Sequence, residues 1–203
     1  MPPIALDVAL LLPPEIVARA AALSRALAAG RTAPLILDDA HLPRVTLVQQ
    51  FVGAAHLDGV RAEVDRVAAA QTPITMRVTG VCRFDSTIML AIDASPPLRR
   101  LHETLMDRLA PLEDATGSEA SFYTAGEPVR PPDVEWVATY RSRSSYEHFS
   151  PHVTLGHGDA PLPVDPFDFV ADHLAICHLG RHCTCRPILG EWRFRHPAAG
   201  PRT

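Results

Sequence analysis

The chain contains no lysine; all nineteen of its basic residues are arginine. That absence removes whole classes of chemistry. There is no lysine Schiff base and no lysyl-nucleotidyl intermediate. There is no P-loop, which needs its Gly-Lys-Ser/Thr. An ATP-dependent ligase of the adenylyl-lysine kind is excluded. Together with abundant Ala and Pro, the arginine-only usage also reads as the imprint of a GC-rich genome. Cysteine is sparse: Cys82, Cys177, Cys183 and Cys185 do not make a disulfide framework in 203 residues. No run approaches the eighteen or so apolar residues of a membrane span. The apolar stretch Ile4 to Leu12 is broken by Asp7 and preceded by no basic residue, so it does not read as a secretory signal. The expected location is the cytoplasm. A net charge of −4 argues against a non-specific nucleic-acid binder, while leaving room for a local basic patch.

What is present suits a folded chain with a substantial core: 47% hydrophobic and 21% charged residues. Ile4 to Leu12 reads as a buried strand. Pro13-Pro14-Glu15 opens a helix with Ile16, Ala20, Leu23 and Leu27 on one face and Gly30 as its stop. Arg44 to Val52 reads as a strand. His56 to Ala70 is a helix, with Leu57, Val60, Val64 and Val67 at helical spacing. Ile74 to Phe84 and Thr87 to Ala94 are strands joined at Asp85-Ser86. Ser95 caps a helix that buries Leu98, Leu101, Leu105 and Leu109. Pro111 to Pro132, rich in Gly and Pro, reads as a long loop or lid. Asp133 to about Ser142 is a fourth helix, and Pro151 to His157 a strand. Two final strands, Phe167 to His178 and Cys183 to Phe194, would meet through a two-residue turn at Gly180-Arg181.

Two segments a hundred residues apart nearly match. Pro43-Arg44-Val45-Thr46-Leu47 and Pro151-His152-Val153-Thr154-Leu155 differ only at their second position. In a strand, residues two apart share a face, so Arg44 projects with Thr46 and His152 with Thr154. A hydroxyl can hydrogen-bond an oxyanion, a guanidinium can grip it bidentately, and an imidazole can move protons near neutral pH. Two such pairs brought together would make a phosphate site.

On these residues the chain resembles the two-histidine (2H) phosphoesterase superfamily, of the bacterial 2′-5′ RNA ligase and cyclic phosphodiesterase type. The family's signature is a doubled Pro-His-x-Thr-Leu motif. The second segment fits in full, and the first fits except that Arg44 stands where the family has histidine. The resemblance spans roughly residues 4 to 195. It implies an α+β fold of two pseudo-twofold lobes, with antiparallel sheets lining a central cleft and helices outside. It implies one domain over residues 1–196 with a tail at 197–203. It also implies a metal-independent phosphoesterase without a cofactor, monomeric, acting on a nucleotide or RNA end with a 2′,3′-cyclic phosphate or a 2′-5′ linkage. In that scheme one motif histidine activates the attacking water or hydroxyl, the other protonates the leaving ribose oxygen, and the threonines hold the phosphate.

Carried onto this sequence, His152 is the proton carrier and Thr46 and Thr154 are the phosphate ligands. Arg44 cannot exchange protons near neutral pH but can stabilise charge. The reading therefore forks. The enzyme is slow; or another residue supplies the missing proton, His41 and His148 being candidates; or the chain is a non-catalytic nucleotide- or phosphate-binding module. Arg143 and Tyr146 could grip phosphate and stack on a base. His157 lies five residues after His152 and should face away in a straight strand. His56, His102, His173 and His196 read as structural or exposed. Around the last turn, His178 would oppose Cys183 and share a face with Cys185, with Cys177 and His182 on the other face. That is poor geometry for a tetrahedral zinc site. Both motif strands are expected to be central in their sheets and neighbours across the cleft.

Overall fold

The computed structural model describes residues 2–32, 34–114, 116–158 and 163–195. His196 and the expected tail at 197–203 lie outside the described residues. In chain order the elements are β1 (Ile4–Leu11), α1 (Pro14–Ala28), β2 (Arg44–Val52), α2 (Leu57–Ala70), β3 (Ile74–Phe84), β4 (Thr87–Ile92), α3 (Pro96–Leu109), α4 (Pro131–Arg143), β5 (His152–His157), β6 (Phe167–Ala171), β7 (His173–Leu179) and β8 (Cys185–Arg193).

The strands make two four-stranded antiparallel sheets, ordered β2-β1-β7-β8 and β5-β4-β3-β6. The helices follow from their apolar stripes. α3 buries Leu98, Leu101, Leu105 and Leu109, and α2 buries Val60, Val64 and Val67. Removing each such side chain from water contributes about 1.5–3 kcal/mol. Prolines occupy the first turns of α1, α3 and α4, where a missing N–H costs nothing. α1 leads out of β1 yet packs on β5 of the other sheet; α3 leads out of β4 yet packs on β2. α4 also covers β2.

Three expectations are corrected. Phe167 to His178 is two strands in different sheets: β6 pairs with β3 and β7 with β1, with Asp172 between them. The motif strands β2 and β5 are edge strands of their sheets, and they come together where the sheets meet. The final turn is a helical turn, Arg181–Cys183, with His182 and Cys183 in left-handed backbone at φ 59° and 50°. Its longer path pairs Leu179 with Cys185 and Cys177 with Ile188, and Cys177 forms a disulfide with Cys185 (Cα–Cα 5.4 Å). The two cysteines expected on opposite faces are thus bonded to each other, because β7 and β8 bulge between Ile176 and Leu179.

Candidate active site

Each motif strand carries a β-bulge at the same place. β1 pairs Ala9 with Thr46 but Val8 with Val48, leaving Leu47 without a partner. β4 pairs Met89 with Thr154 but Ile88 with Gly156, leaving Leu155 without one. A bulge inserts one residue and resets which side chains share a face. Opposed residues share a face, so the register is decisive. Arg44, Thr46 and Gln49 oppose Leu11, Ala9 and Asp7; His152, Thr154 and His157 oppose Ala91, Met89 and Thr87. The two-residue alternation therefore extends to the fifth residue beyond the motif's first site residue, giving Gln49 in one lobe and His157 in the other. His157 does not face away: the Leu155 bulge turns it onto the face of His152. Gly156, at φ 150°, makes that bend, a conformation only glycine adopts without strain.

The bulge in β2 frees the Leu47 carbonyl from the ladder. Buried groups recover it: His102 Nδ1 donates to it at 2.6 Å and the Tyr140 hydroxyl at 3.3 Å. His102 Nε2 accepts the Tyr146 backbone N–H at 2.9 Å, so the ring is neutral with its proton on Nδ1. Burial lowers its proton affinity further. His102 is structural, as expected, and it fixes the bulge.

In the first lobe the site groups converge on Asp7, which is fully buried. One carboxylate oxygen, Oδ2, accepts Arg44 Nε at 2.6 Å, Thr46 Oγ1 at 3.0 Å and Gln49 Nε2 at 3.3 Å. Arg44 Nη2 donates a short bond to the Cys183 carbonyl. Trp136 Nε1 donates to Gln49 Oε1 at 2.8 Å. Arg44 is thus a clamped cation with its charge matched by Asp7, and the single donor of the Thr46 hydroxyl is committed. Sequence reading passed over Asp7 as an interruption in an apolar strand. A lone charge in such a run was the available signal, because a buried charge needs a partner.

In the second lobe, His152 Nδ1 donates to the Ser150 carbonyl at 2.8 Å, which leaves Nε2 as the acceptor of the neutral ring. Burial lowers its proton affinity; the Ser150 bond opposes that, Arg44 adds to it and Asp7 opposes it. Both first-lobe charges therefore act on His152 across the junction of the lobes. The Thr154 hydroxyl has no hydrogen-bond partner among the described residues, so its donor is uncommitted.

The other sequence candidates are engaged elsewhere. His41 Nδ1 bonds Asp38 Oδ1 at 2.8 Å, and its Nε2 lies 3.5 Å from Glu127. His148 is exposed, 3.6 Å from Glu147. The Tyr146 hydroxyl donates to Asp107 at 2.8 Å and accepts from Arg141 at 3.3 Å. Arg143, largely exposed, faces Glu135 at 3.6 Å. The contacts of Tyr146 and Arg143 run to α3 and α4 rather than to the motif strands. Among the described residues no group of three or more His, Cys, Asp or Glu is placed to hold a metal ion. No helix among them is long and apolar enough to cross a membrane.

Two lobes, doubled Thr-bearing bulged strands and an imidazole at their junction define a phosphoesterase-like architecture. A family model for the 2′-5′ RNA ligase superfamily matches residues 12–176, more than half of the chain, and the chain belongs to that superfamily. Among solved structures it is similar to the TT0787 protein of Thermus thermophilus, at 20% identity and a TM-score of 0.63, covering 95% of this chain and 98% of that one. It is similar to E. coli LigT complexed with phosphate at 17% identity and a TM-score of 0.61, covering 97% and 100%. The corresponding values for E. coli LigT complexed with 3′-AMP are 18%, 0.60, 96% and 99%. At these identities the likeness establishes the fold. A comparison with curated protein sequences finds no match.

Proposed function

We propose that this chain is a phosphoesterase acting on an RNA end or a small nucleotide, opening a 2′,3′-cyclic phosphate or cleaving a 2′-5′ phosphodiester. The supporting observation is the meeting of the two bulged strands, with His152 and Thr154 on one and Arg44 and Thr46 on the other. Phosphate and 3′-AMP as ligands of the structurally similar LigT accord with a nucleotide phosphate in this cleft.

In the hydrolytic direction, His152 Nε2 takes a proton from the attacking water as its oxygen bonds phosphorus. The bond from phosphorus to one ribose oxygen breaks, and that oxygen must gain a proton. Thr154 donates to a non-bridging oxygen. Arg44, held by Asp7 and Cys183, contributes charge stabilisation, and Asp7 positions Thr46. Side chains supply the base, the hydroxyl donor and the charge stabilisation, so activity should survive EDTA. The protein acts as a monomer.

A second reading is a nucleotide-binding module without turnover. The lack of a proton carrier in the first motif, where Arg44 stands, favours it. Hydrolysis of a 2′,3′-cyclic nucleotide by the wild type, abolished in His152→Ala, supports the enzyme. Absent hydrolysis, with 3′-AMP binding competed by phosphate, supports the module. Neither hydrolysis nor binding would end both readings.

A further inference from the structure

The hydrolytic steps leave the departing ribose oxygen without a proton donor, since Arg44 does not deprotonate near neutral pH. We propose that the His157–His182 pair is the second proton-carrying unit of this cleft, supplying the acid that the first motif lacks. The inference rests on the phosphoesterase reading.

His157 shares one sheet face with His152 and Thr154 because of the Leu155 bulge. Its strand partner Thr87 is two residues from the partner of Thr154, so His157 lies about 7 Å along the strand from Thr154. The other lobe shows what this position does. Gln49, its counterpart, reaches the same Asp7 oxygen that binds Arg44 and Thr46. The sixth position therefore joins the motif's site groups through Asp7 in one lobe, and the pseudo-repeat puts an imidazole there in the other.

The second imidazole is brought in by strained backbone. His182 sits at φ 59° in the turn before Cys183. Its backbone N–H donates to Asp133 Oδ2 at 3.1 Å, and the next residue's carbonyl takes Arg44 Nη2. Thus the turn that clamps Arg44 also delivers His182 to His157, Nδ1 to Nε2 at 3.3 Å. The Thr87 hydroxyl lies 3.4 Å from His157 Nδ1. At that distance one ring nitrogen can donate to the other, and charge on His157 disfavours charge on His182. Around it stand Arg130, Arg181 and Arg31, whose guanidinium lies against Gly158, with Asp133 as the opposing carboxylate. Asp133 is already paired with Arg130 at 2.6 Å. Burial and these cations hold both rings neutral in the free protein, His182 down to about 4. An incoming phosphate offsets the cations and lets the pair take up a proton. In the reaction the cationic pair gives that proton to the departing ribose oxygen while His152 accepts the proton of water. The product is a ribose hydroxyl and a phosphate monoester, and exchange with solvent resets both groups.

The test compares leaving groups. Wild type, His157→Gln and His182→Asn are assayed on a 2′,3′-cyclic nucleotide and on a nucleoside 3′-(4-nitrophenyl phosphate), whose phenolate leaves without protonation. Asparagine tolerates the left-handed backbone at position 182. Both variants should lose about 10²- to 10⁴-fold in kcat on the cyclic substrate, with KM little changed and the alkaline limb of the pH profile lost. Both should keep near-wild-type rates on the nitrophenyl ester, which also shows that they are folded. Equal losses on both substrates, or a rise in KM with the alkaline limb retained, would make the pair structural or substrate-binding and overturn the inference. Variants as active as wild type on both substrates overturn it alone. A wild type inactive on both overturns the phosphoesterase reading and this inference together.

Discussion

The two motif strands are built alike and equipped differently. Both bulge at the motif leucine, and both then present a first, third and sixth residue to one face. On β2 those residues are Arg44, Thr46 and Gln49, and all three spend donors on one buried carboxylate oxygen. On β5 they are His152, Thr154 and His157, with an uncommitted hydroxyl among the described residues and two rings that can exchange protons. One lobe is a fixed charge network and the other a titratable one. The backbone device sets where groups point. What stands opposite the sixth residue on the neighbouring strand, Asp7 in one lobe and Thr87 in the other, sets what they can do.

Removing the group that separates the lobes in function should have the largest effect. His152→Ala should lower hydrolysis of a 2′,3′-cyclic nucleotide by up to about 10⁴-fold while the protein stays folded by circular dichroism. Breaking the fixed network comes next. Asp7→Ala leaves the Arg44 charge without its partner, and breaking such a buried pair costs about 3–5 kcal/mol, readable by urea denaturation. An Asp7→Ala protein as stable as wild type would show that the two lobes are less different than described.

Gly156→Ala probes the shared backbone device. An alanine at φ 150° is strained, and its Cβ would lie 3.4 Å from the Leu35 carbonyl oxygen. A loss of about 1–3 kcal/mol is expected, and the variant should also displace His157 from the face it shares with His152. The pH dependence of stability gives a smaller effect. His102, His152, His157, His178 and His182 all bind protons less well than a free imidazole, burial being the largest cause in each. The unfolded chain then takes up protons first as pH falls. Stability contributed by these rings is full above about pH 6.5 and is lost as pH falls toward 4. A denaturation series over that range should show a shallower decline in His182→Asn.

Much of the architecture was legible in the sequence. The doubled segment pointed to the pseudo-repeat, and apolar spacing located the first three helices to within a few residues. Three things were hidden for physical reasons. Hydrophobic alternation does not say which sheet a strand joins, so β6 and β7 read as one. A bulge leaves no mark in a five-residue motif, so the facing of Gln49 and His157 was invisible. The turn at 181–183 uses left-handed His and Cys, residues that carry no turn signature, so the Cys177–Cys185 bond and the delivery of His182 were missed. Asp7 was visible but was read as a break in an apolar run rather than as the anchor of a site.

The crossed helices have a consequence for how the protein comes into being. Because α1 follows β1 but covers β5, and α3 follows β4 but covers β2, each half of the chain carries the lid of the other half's motif strand. A polypeptide cut between the halves would expose the back of both strands. The packing that covers the two motif strands therefore also holds β2 and β5 against each other. On the ribosome, the first motif waits uncovered until α3 has been made, and the site cannot form before β5 emerges to meet it.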